Sequence, residues 1–293
     1  AKNSDFSYTL GAGFSYLNDK YKAQETGVDF NFKSAYEMNK DSRINIKADY
    51  SIISRKDVLV EARPRNLFTV SPSYEFMPID DLKISVGFIA AFENDTIDSK
   101  GTHIYPDIRA TYPLSPSVDA FATLNGGMEK VSLQSLSAEN IWIAPNVPVF
   151  HTNKVLDFGI GLRAKLRNKV AAHTGLSFAN LKYWYYFMNT TADQAKFDVA
   201  YDAGAGTRRT NLYAALSYAQ SEIAKFMVRG DLFTYGMGSL VEAWHRPTYK
   251  LTANGSYNLY EKIIFQADII AQGGMKALDP VTDNVVKLKS AFD

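Results

Sequence analysis

The chain contains no cysteine, only four histidines and three tryptophans, and ten prolines in 293 residues. Without cysteine there is no disulfide framework, thiolate nucleophile, iron–sulfur cluster or cysteine-ligated zinc site. Charge of one sign is equally scarce. Lys and Arg number 32 against 31 Asp and Glu, a net charge of +1, which leaves no excess to hold a phosphate backbone and argues against a nucleic-acid partner. No run of about 18 apolar residues occurs, so no transmembrane helix is expected, and the first residues are polar rather than those of a signal peptide. His103, His151, His173 and His245 show no metal spacing of the HExxH kind, and neither a metal nor a cofactor is expected.

Aromatic residues are plentiful instead, at 13% of the chain, although the mean hydropathy is slightly negative at -0.20. A β-strand with one apolar and one polar face reconciles the two, because successive side chains point to opposite sides. The alternation recurs along the chain. From Arg43 to Ile53, residues Ile44, Ile46, Ala48, Tyr50 and Ile52 share one face, opposite Arg43, Asn45, Lys47, Asp49 and Ser51. Phe6 to Tyr16 and Leu156 to Leu166 repeat the pattern; a helix would mix the two sets on every side. Runs of this kind begin near Val28, Phe68, Leu82, Ile104, Val118, Val170, Leu212, Phe226, Tyr249, Ile263 and Val286. There are about fourteen, most of them about 9 to 12 residues long, the length a tilted strand needs to cross a bilayer.

The connections carry a second signal. Short ones rich in turn formers, such as Asn39–Ser42, Pro78–Asp81, Leu114–Ser117, Arg167–Lys169 and Tyr260–Lys262, alternate with long ones, such as Ser54–Asn66, Glu93–His103, Lys130–Val155 and Lys182–Gly206. An up-and-down antiparallel sheet places all short turns at one end and all long loops at the other, the arrangement of periplasmic turns and extracellular loops in outer-membrane barrels. The competing reading, a soluble β-protein with one solvated face, explains no such repetition. Pro72 and Pro106 fall inside expected strands and mark strand ends, bulges or an imperfectly paired seam.

Cost decides which face meets lipid. An Arg or Lys at the midplane of a barrel's lipid face costs roughly 2 to 4 kcal/mol, so the rows carrying Arg43, Lys47, Asp49, Arg109, Arg163, Lys165, Arg229 and Asp231 are expected to face the lumen. These charges are mixed in sign, and pairing across the wall would leave a weakly selective or occluded lumen. Tyr16, Tyr36, Tyr74, Tyr112, Tyr218 and Tyr257 gather near the ends of the apolar rows, as an interfacial girdle does. Gly11, Gly13, Gly159 and Gly161 share the lumen face, where small residues let the wall bend or let something lie close against it. The dense run Tyr183–Trp184–Tyr185–Tyr186 has aromatics on both parities; it reads as a strand leaving the bilayer into an extracellular loop. With Trp142 and Trp244 it supplies the candidate contacts for a partner or ligand.

Residues 242–253, Glu-Ala-Trp-His-Arg-Pro-Thr-Tyr-Lys-Leu-Thr-Ala, followed by Tyr257-Asn258-Leu259 and Ile270-Ala271-Gln272-Gly273-Gly274, resemble the C-terminal half of TonB-dependent receptor-like outer-membrane β-barrels of Gram-negative bacteria. Ser137 to Pro148, leading through Lys154 into Gly159 and Gly161, is similar to a long inter-strand connection in the same proteins. The resemblance implies a multi-pass barrel in the cell outer membrane. The family's plug domain and energy-coupling box find no counterpart here, and the chain opens just before one strand and stops within another.

His173 shares the lumen parity of Ser177 and invites comparison with the general base of outer-membrane hydrolases, but a polar lumen residue with hydrogen-bonded neighbours is the preferred reading. His245, between Trp244 and Arg246, suits interfacial anchoring. The expectation is an all-β, up-and-down antiparallel transmembrane barrel of about fourteen strands, forming a single domain over residues 1–293, without catalysis. It would contact lipopolysaccharide and phospholipid, and serve as a subunit or scaffold of an outer-membrane assembly with other outer-membrane proteins or lipoproteins. The alternative is a passive or substrate-specific pore or transporter for a small or amphipathic solute.

Overall fold

The computed structural model describes residues 5–293 except 96, 191, 194, 222 and 261; Glu261, expected in the last short turn, therefore lies outside the described residues. The chain is 70% strand and 3% helix. Nine strands follow one another as β1 (Phe6–Asn18), β2 (Gln24–Asn39), β3 (Ser42–Lys56), β4 (Arg63–Ile79), β5 (Leu82–Glu93), β6 (Thr102–Ser115), β7 (Val118–Glu129), β8 (Thr152–Arg167) and β9 (Val170–Lys182). A hairpin of β10 (Trp184–Asn189) and β11 (Phe197–Asp202) interrupts them before β12 (Thr207–Gln220), β13 (Ala224–Gly236), β14 (Tyr249–Leu259) and β15 (Ile263–Gly273). The last pieces are β16 (Lys276–Leu278), β17 (Val285–Lys287) and β18 (Ala291–Phe292). One helix, α1 (Leu133–Glu139), lies between β7 and β8. Among the described residues no helix is long and apolar enough to cross a membrane.

Fourteen strands form one sheet in the order β1 to β9, then β12 to β15, then β18, every neighbour antiparallel. Among the described residues β1 pairs only with β2 and β18 only with β15. At one end the connections are two or three residues long, between β2 and β3, β4 and β5, β6 and β7, β8 and β9, β12 and β13, and β14 and β15. The other end carries every long connection, of which residues 130–151 and 183–206 are the longest. The expected run from Val286 to Phe292 is not one strand: Val285–Lys287 pairs with Lys276–Leu278 in its own hairpin, and only Ala291 and Phe292 join the sheet. The run's alternation breaks at Ser290, and two short ladders satisfy the backbone where one long one does not form.

Pro72 sits mid-strand in β4, paired with Ile46 on the β3 side, while pairing with β5 lapses between Val70 and Ser73. Its missing N–H falls where no ladder bond is made, the imperfectly paired seam that a mid-strand proline requires. Pro106 pairs with Phe88 but precedes the start of the β6–β7 ladder at Asp107.

Register keeps one parity on each face around the sheet. Leu10, Phe32 and Ala48 align on one face with Val70 and Ala90; Gly11, Asn31, Asp49 and Thr69 align on the other. The first face is the outer one, and it leaves Phe14 74%, Ile104 72% and Leu10 70% exposed. A continuous surface of that kind is matched to hydrocarbon, not to water.

On the inner face, glycines seat rings. Phe121, Gly161, Gly175 and Tyr213 form one cross-strand row. A Cβ at Gly161 would stand 2.5 Å from the Phe121 ring, and one at Gly175 would stand 2.7 Å from the Tyr213 hydroxyl. What lies close against this part of the wall is therefore a ring, not a loop. Gly175→Val is expected to lift Tyr213 off the wall and cost about 1 to 3 kcal/mol of folding stability, read as a lower urea midpoint for the protein refolded in lipid vesicles.

Candidate functional site

The long-loop end carries a small core of its own. Ala23, Val131, Leu133, Leu136, Ile143, Val147, Phe187 and Val199 are buried together, so the segment 130–151 folds inward and packs on the β10–β11 hairpin. The two are zipped by Ala144 N–H to Phe197 O (2.7 Å) and Phe197 N–H to Trp142 O (2.9 Å). Helix α1 begins at the cap residue Ser132, whose hydroxyl accepts from Ser135 N–H while the Ser135 hydroxyl accepts from Ser132 N–H. Its next free amides, Leu133 and Gln134, donate to the Glu25 carboxylate at 2.8 and 2.9 Å. A negative group at a helix start satisfies orphan donors and complements the helix dipole.

Three neighbouring strands hold this cap through inward side chains: Glu25 from β2, Arg55 from β3 and Arg65 from β4. Arg55 donates to Val147 O at 2.6 Å and to Asp57 at 2.8 Å. Asp57 accepts Asn146 N–H at 2.8 Å. Arg65 grips Asp95 with Nε and Nη2 at 2.7 and 2.5 Å and reaches Val131 O with Nη1 at 3.0 Å. Beside it His151 is fully buried, and its Nδ1 takes Val131 N–H at 3.1 Å and lies 3.2 Å from Arg65 Nη2. Two donors converge on Nδ1, so that nitrogen is an acceptor and the ring is neutral. Burial and the Arg65 charge push the His151 pKa down to about 4.

The aromatic candidates are divided by this cap. Tyr183, with φ of 53°, breaks the run away from β9, so Trp184 to Asn189 form a separate strand paired with Asp202 to Phe197. The expected continuation of the wall strand into the loop is thereby corrected: both parities are aromatic because both faces of the hairpin pack. Tyr186 and Trp244 are 0% and 3% exposed and join one buried cluster. They belong to the cap interior and present nothing to a partner. Arg246 lies over the rings of Trp184 at 4.5 Å and Tyr185 at 4.9 Å and pairs with Glu139 at 2.9 Å. The Tyr185 hydroxyl donates to Glu139; burial and that carboxylate push its pKa up to about 12. Trp142 remains 56% exposed, with Lys196 over its ring at 5.6 Å. His245 is half-buried; burial lowers its pKa, and its ring meets Phe197 edge-on at 5.1 Å.

Beneath the cap, in the half nearer the short turns, lies a cavity of about 480 Å³. Arg43, Lys47, Arg109 and Arg163 line it together with Lys83, Glu75 and Asp107. Arg43 is on β3 and Arg163 on β8, five strands away. A flat sheet would hold them roughly 24 Å apart, so a shared cavity of this size shows how strongly the sheet curls. The ion pairs run within or between adjacent strands, Lys83 to Glu75 at 2.9 Å and Arg109 to Asp107 at 3.0 Å. Arg43, Lys47 and Arg163 have no ion pair among the described residues. Arg43 lies in register between Glu37 and Glu75, and Arg163 opposite Asp119, while the cavity itself is lined by five cations and two carboxylates.

Of the other inward candidates, Asp49 lies opposite Asn31 and Thr69, and Lys165 opposite Ala171 near the β8–β9 turn. Arg229 pairs with Asp231 at 2.7 Å and lies over Tyr213 at 4.2 Å. His173 Nε2 is held by the Tyr213 hydroxyl at 3.1 Å, and its cross-strand partners are Arg163 and Ala215 instead of the Ser or Asp a hydrolytic base needs. Among the described residues no cluster of three or more His, Asp or Glu could hold a metal ion. Sequence reasoning missed Lys83 and Glu75, which share the inner parity and could have been counted by it. It also missed Arg55, Arg65, Asp95 and His151, whose contacts span up to 92 residues and leave no local signal.

No family model matches the sequence, and no curated protein does. Solved structures match by fold. The iron transporter FrpB of Neisseria meningitidis superposes with a TM-score of 0.56 at 10% identity, over 92% of this chain and 47% of its own. The siderophore receptor PirA of Acinetobacter baumannii gives 0.61 at 8% identity, over 98% and 52%. A mutant of the ferric enterobactin receptor PfeA of Pseudomonas aeruginosa gives 0.57 at 8% identity, over 97% and 49%. The chain spans about half the length of these proteins and has the fold of a TonB-dependent-receptor-like barrel.

Proposed function

We propose that this protein is an outer-membrane β-barrel that works as a gated, substrate-specific transporter and has no catalytic role. One observation carries the reading: the folded cap of residues 130–151 and the β10–β11 hairpin stands over a polar, charged lumen. A scaffold has no need of a polar interior, and a passive pore has no need of a sealed mouth. The solved proteins of the same fold include an iron transporter and siderophore receptors, which fits uptake through a wall of this shape. The test is planar-bilayer recording at fixed voltage. The native protein is expected to be silent, and a variant with residues 132–149 replaced by a Gly-Ser linker is expected to show discrete open levels. Steady conduction by the native protein would overturn the gate, and silence of the linker variant would overturn transport.

A second reading, a subunit of an outer-membrane assembly, is favoured by apolar side chains at the long-loop end. Val58, Leu59, Ile141 and Trp142 are exposed there beyond the level of the apolar wall rows. Extraction in mild detergent should then recover a partner in fixed ratio, and loss of that partner in Leu59→Ser/Trp142→Ser would locate its seat.

A further inference from the structure

We propose that the lumen cavity binds a small, multiply charged oxyanion, a solute carrying phosphate or carboxylate groups. This deepens the transport reading by naming its class of solute, but binding is measured with the barrel closed and does not require transport. Of the lining residues, five are cationic and two are carboxylates. Both carboxylates already accept from Lys83 and Arg109. Three cations, Arg43, Lys47 and Arg163, face the cavity with no ion pair among the described residues; Arg43 stands in register with Glu37 and Glu75 and Arg163 with Asp119, so Lys47 is the one with no carboxylate across the ladder. Arg163 is held over the Phe121 ring at 4.7 Å, which fixes its guanidinium fork without neutralising it.

The wall supplies a second observation. Lys33 and Lys47 are direct partners across the β2–β3 ladder. Like charges facing each other on a sheet destabilise it, and here neither has an ion-pair partner among the described residues. An anion drawn to the Lys47 side of the cavity relieves that repulsion. The remaining lining residues, Asn45, Ser71, Ser73, Ser85 and Thr111, are neutral groups able to donate hydrogen bonds to oxyanion oxygens. A volume of about 480 Å³ falls in the range of small-molecule sites. A cation-lined concavity with low-dielectric walls also concentrates field and raises local anion concentration.

The test uses the purified protein in non-ionic detergent, titrated calorimetrically with pyrophosphate in one arm and citrate in another, with choline as the cationic control. Saturable binding of at least one anion is expected, none of choline, with affinity falling as salt rises. Lys47→Gln/Arg163→Gln should weaken the Kd about tenfold or more, as loss of charge-assisted contacts does. Lys40→Gln/Lys169→Gln, which removes the same net charge from the short turns, should leave it unchanged. Heat-modifiable migration checks that both variants keep the barrel. Absence of saturable binding in both arms, or equal weakening by the two double variants, would overturn the site. If only a hexaglutamate peptide saturates, the occupant is a protein segment and the small-solute proposal fails. A linker variant that stays silent in bilayers while pyrophosphate binding persists would leave this site standing and remove the transport reading.

Discussion

Replacing Arg65 with alanine is expected to open the mouth of the barrel while leaving its wall intact. Arg65 makes four contacts to the cap and its neighbours, with Asp95, Val131 O and His151, and its side chain is only 11% exposed, that of Asp95 only 5%. Without the guanidinium, the buried Asp95 carboxylate loses the two charge-assisted bonds from Arg65, a change that costs about 3 to 5 kcal/mol. The cost falls on the closed arrangement alone, because the strands keep their ladder bonds and the loops can swing into water. Limited proteolysis should then cut within residues 130–151 at rates far above those of the native protein, while heat-modifiable migration is unchanged. Arg65→Lys should open partially: it keeps a charge but loses the two-pronged geometry that serves both carboxylate oxygens at once. Equal protease resistance of Arg65→Ala and the native protein would show that the cap is held by its apolar core alone.

Acid is expected to release the same cap. His151 is neutral when closed, its Nδ1 occupied by donors, and has a pKa of about 4; a freed His151 titrates near 6.5. The open state therefore binds the proton more readily. The closed state keeps its full stability above about pH 6.5 and loses about 1.4 kcal/mol for each pH unit down to about pH 4, some 3 kcal/mol in all. The charged groups facing the ring are Arg65 from β4, Asp95 from the β5–β6 connection and Lys130 from its own segment. The Asp95 carboxylate, which burial alone would raise, is held below the usual range by Arg65. It stays ionised throughout this window, and its own contribution is lost only at lower pH. The protection factors of residues 130–151, with the intrinsic pH dependence of amide exchange divided out, should fall between pH 6.5 and 4. His151→Gln keeps an acceptor for Val131 N–H and should abolish that step; an unchanged profile in this variant would assign the titration elsewhere.

The wall was legible because its signal is local. Ile44 through Ile52 against Arg43 through Ser51 declares a strand and both of its faces within eleven residues, and a membrane's penalty on charge decides which face is inward. Parity alone brought Arg43, Lys47, Arg109 and Arg163 to the inner face, although their meeting in one cavity depends on curl, which no window of sequence measures. The cap was illegible for the opposite reason. Leu133 and Leu136 carry a helical spacing, but Glu25, Arg55, Arg65 and Asp95 look like ordinary loop-end charges until residues up to 109 positions away close on them. Alternation also failed in the Tyr183–Met188 run, where a short hairpin packed on both faces has no outward side to mark, and in the chain's last residues, where strands of two or three residues are too short to carry it.

The junction of β4 and β5 has a further consequence. Its ladder lapses at Ser71 and Pro72, while Arg65 to Asp95 spans it near the loops and Glu75 to Lys83 spans it near the turns. The sheet is thus creased along one line and riveted at both ends of the crease, and the upper rivet is the residue that fastens the cap. Undoing that rivet frees the lid and leaves the crease to its remaining ladder bonds and the lower rivet, so any later loosening of the wall should start along β4 and β5.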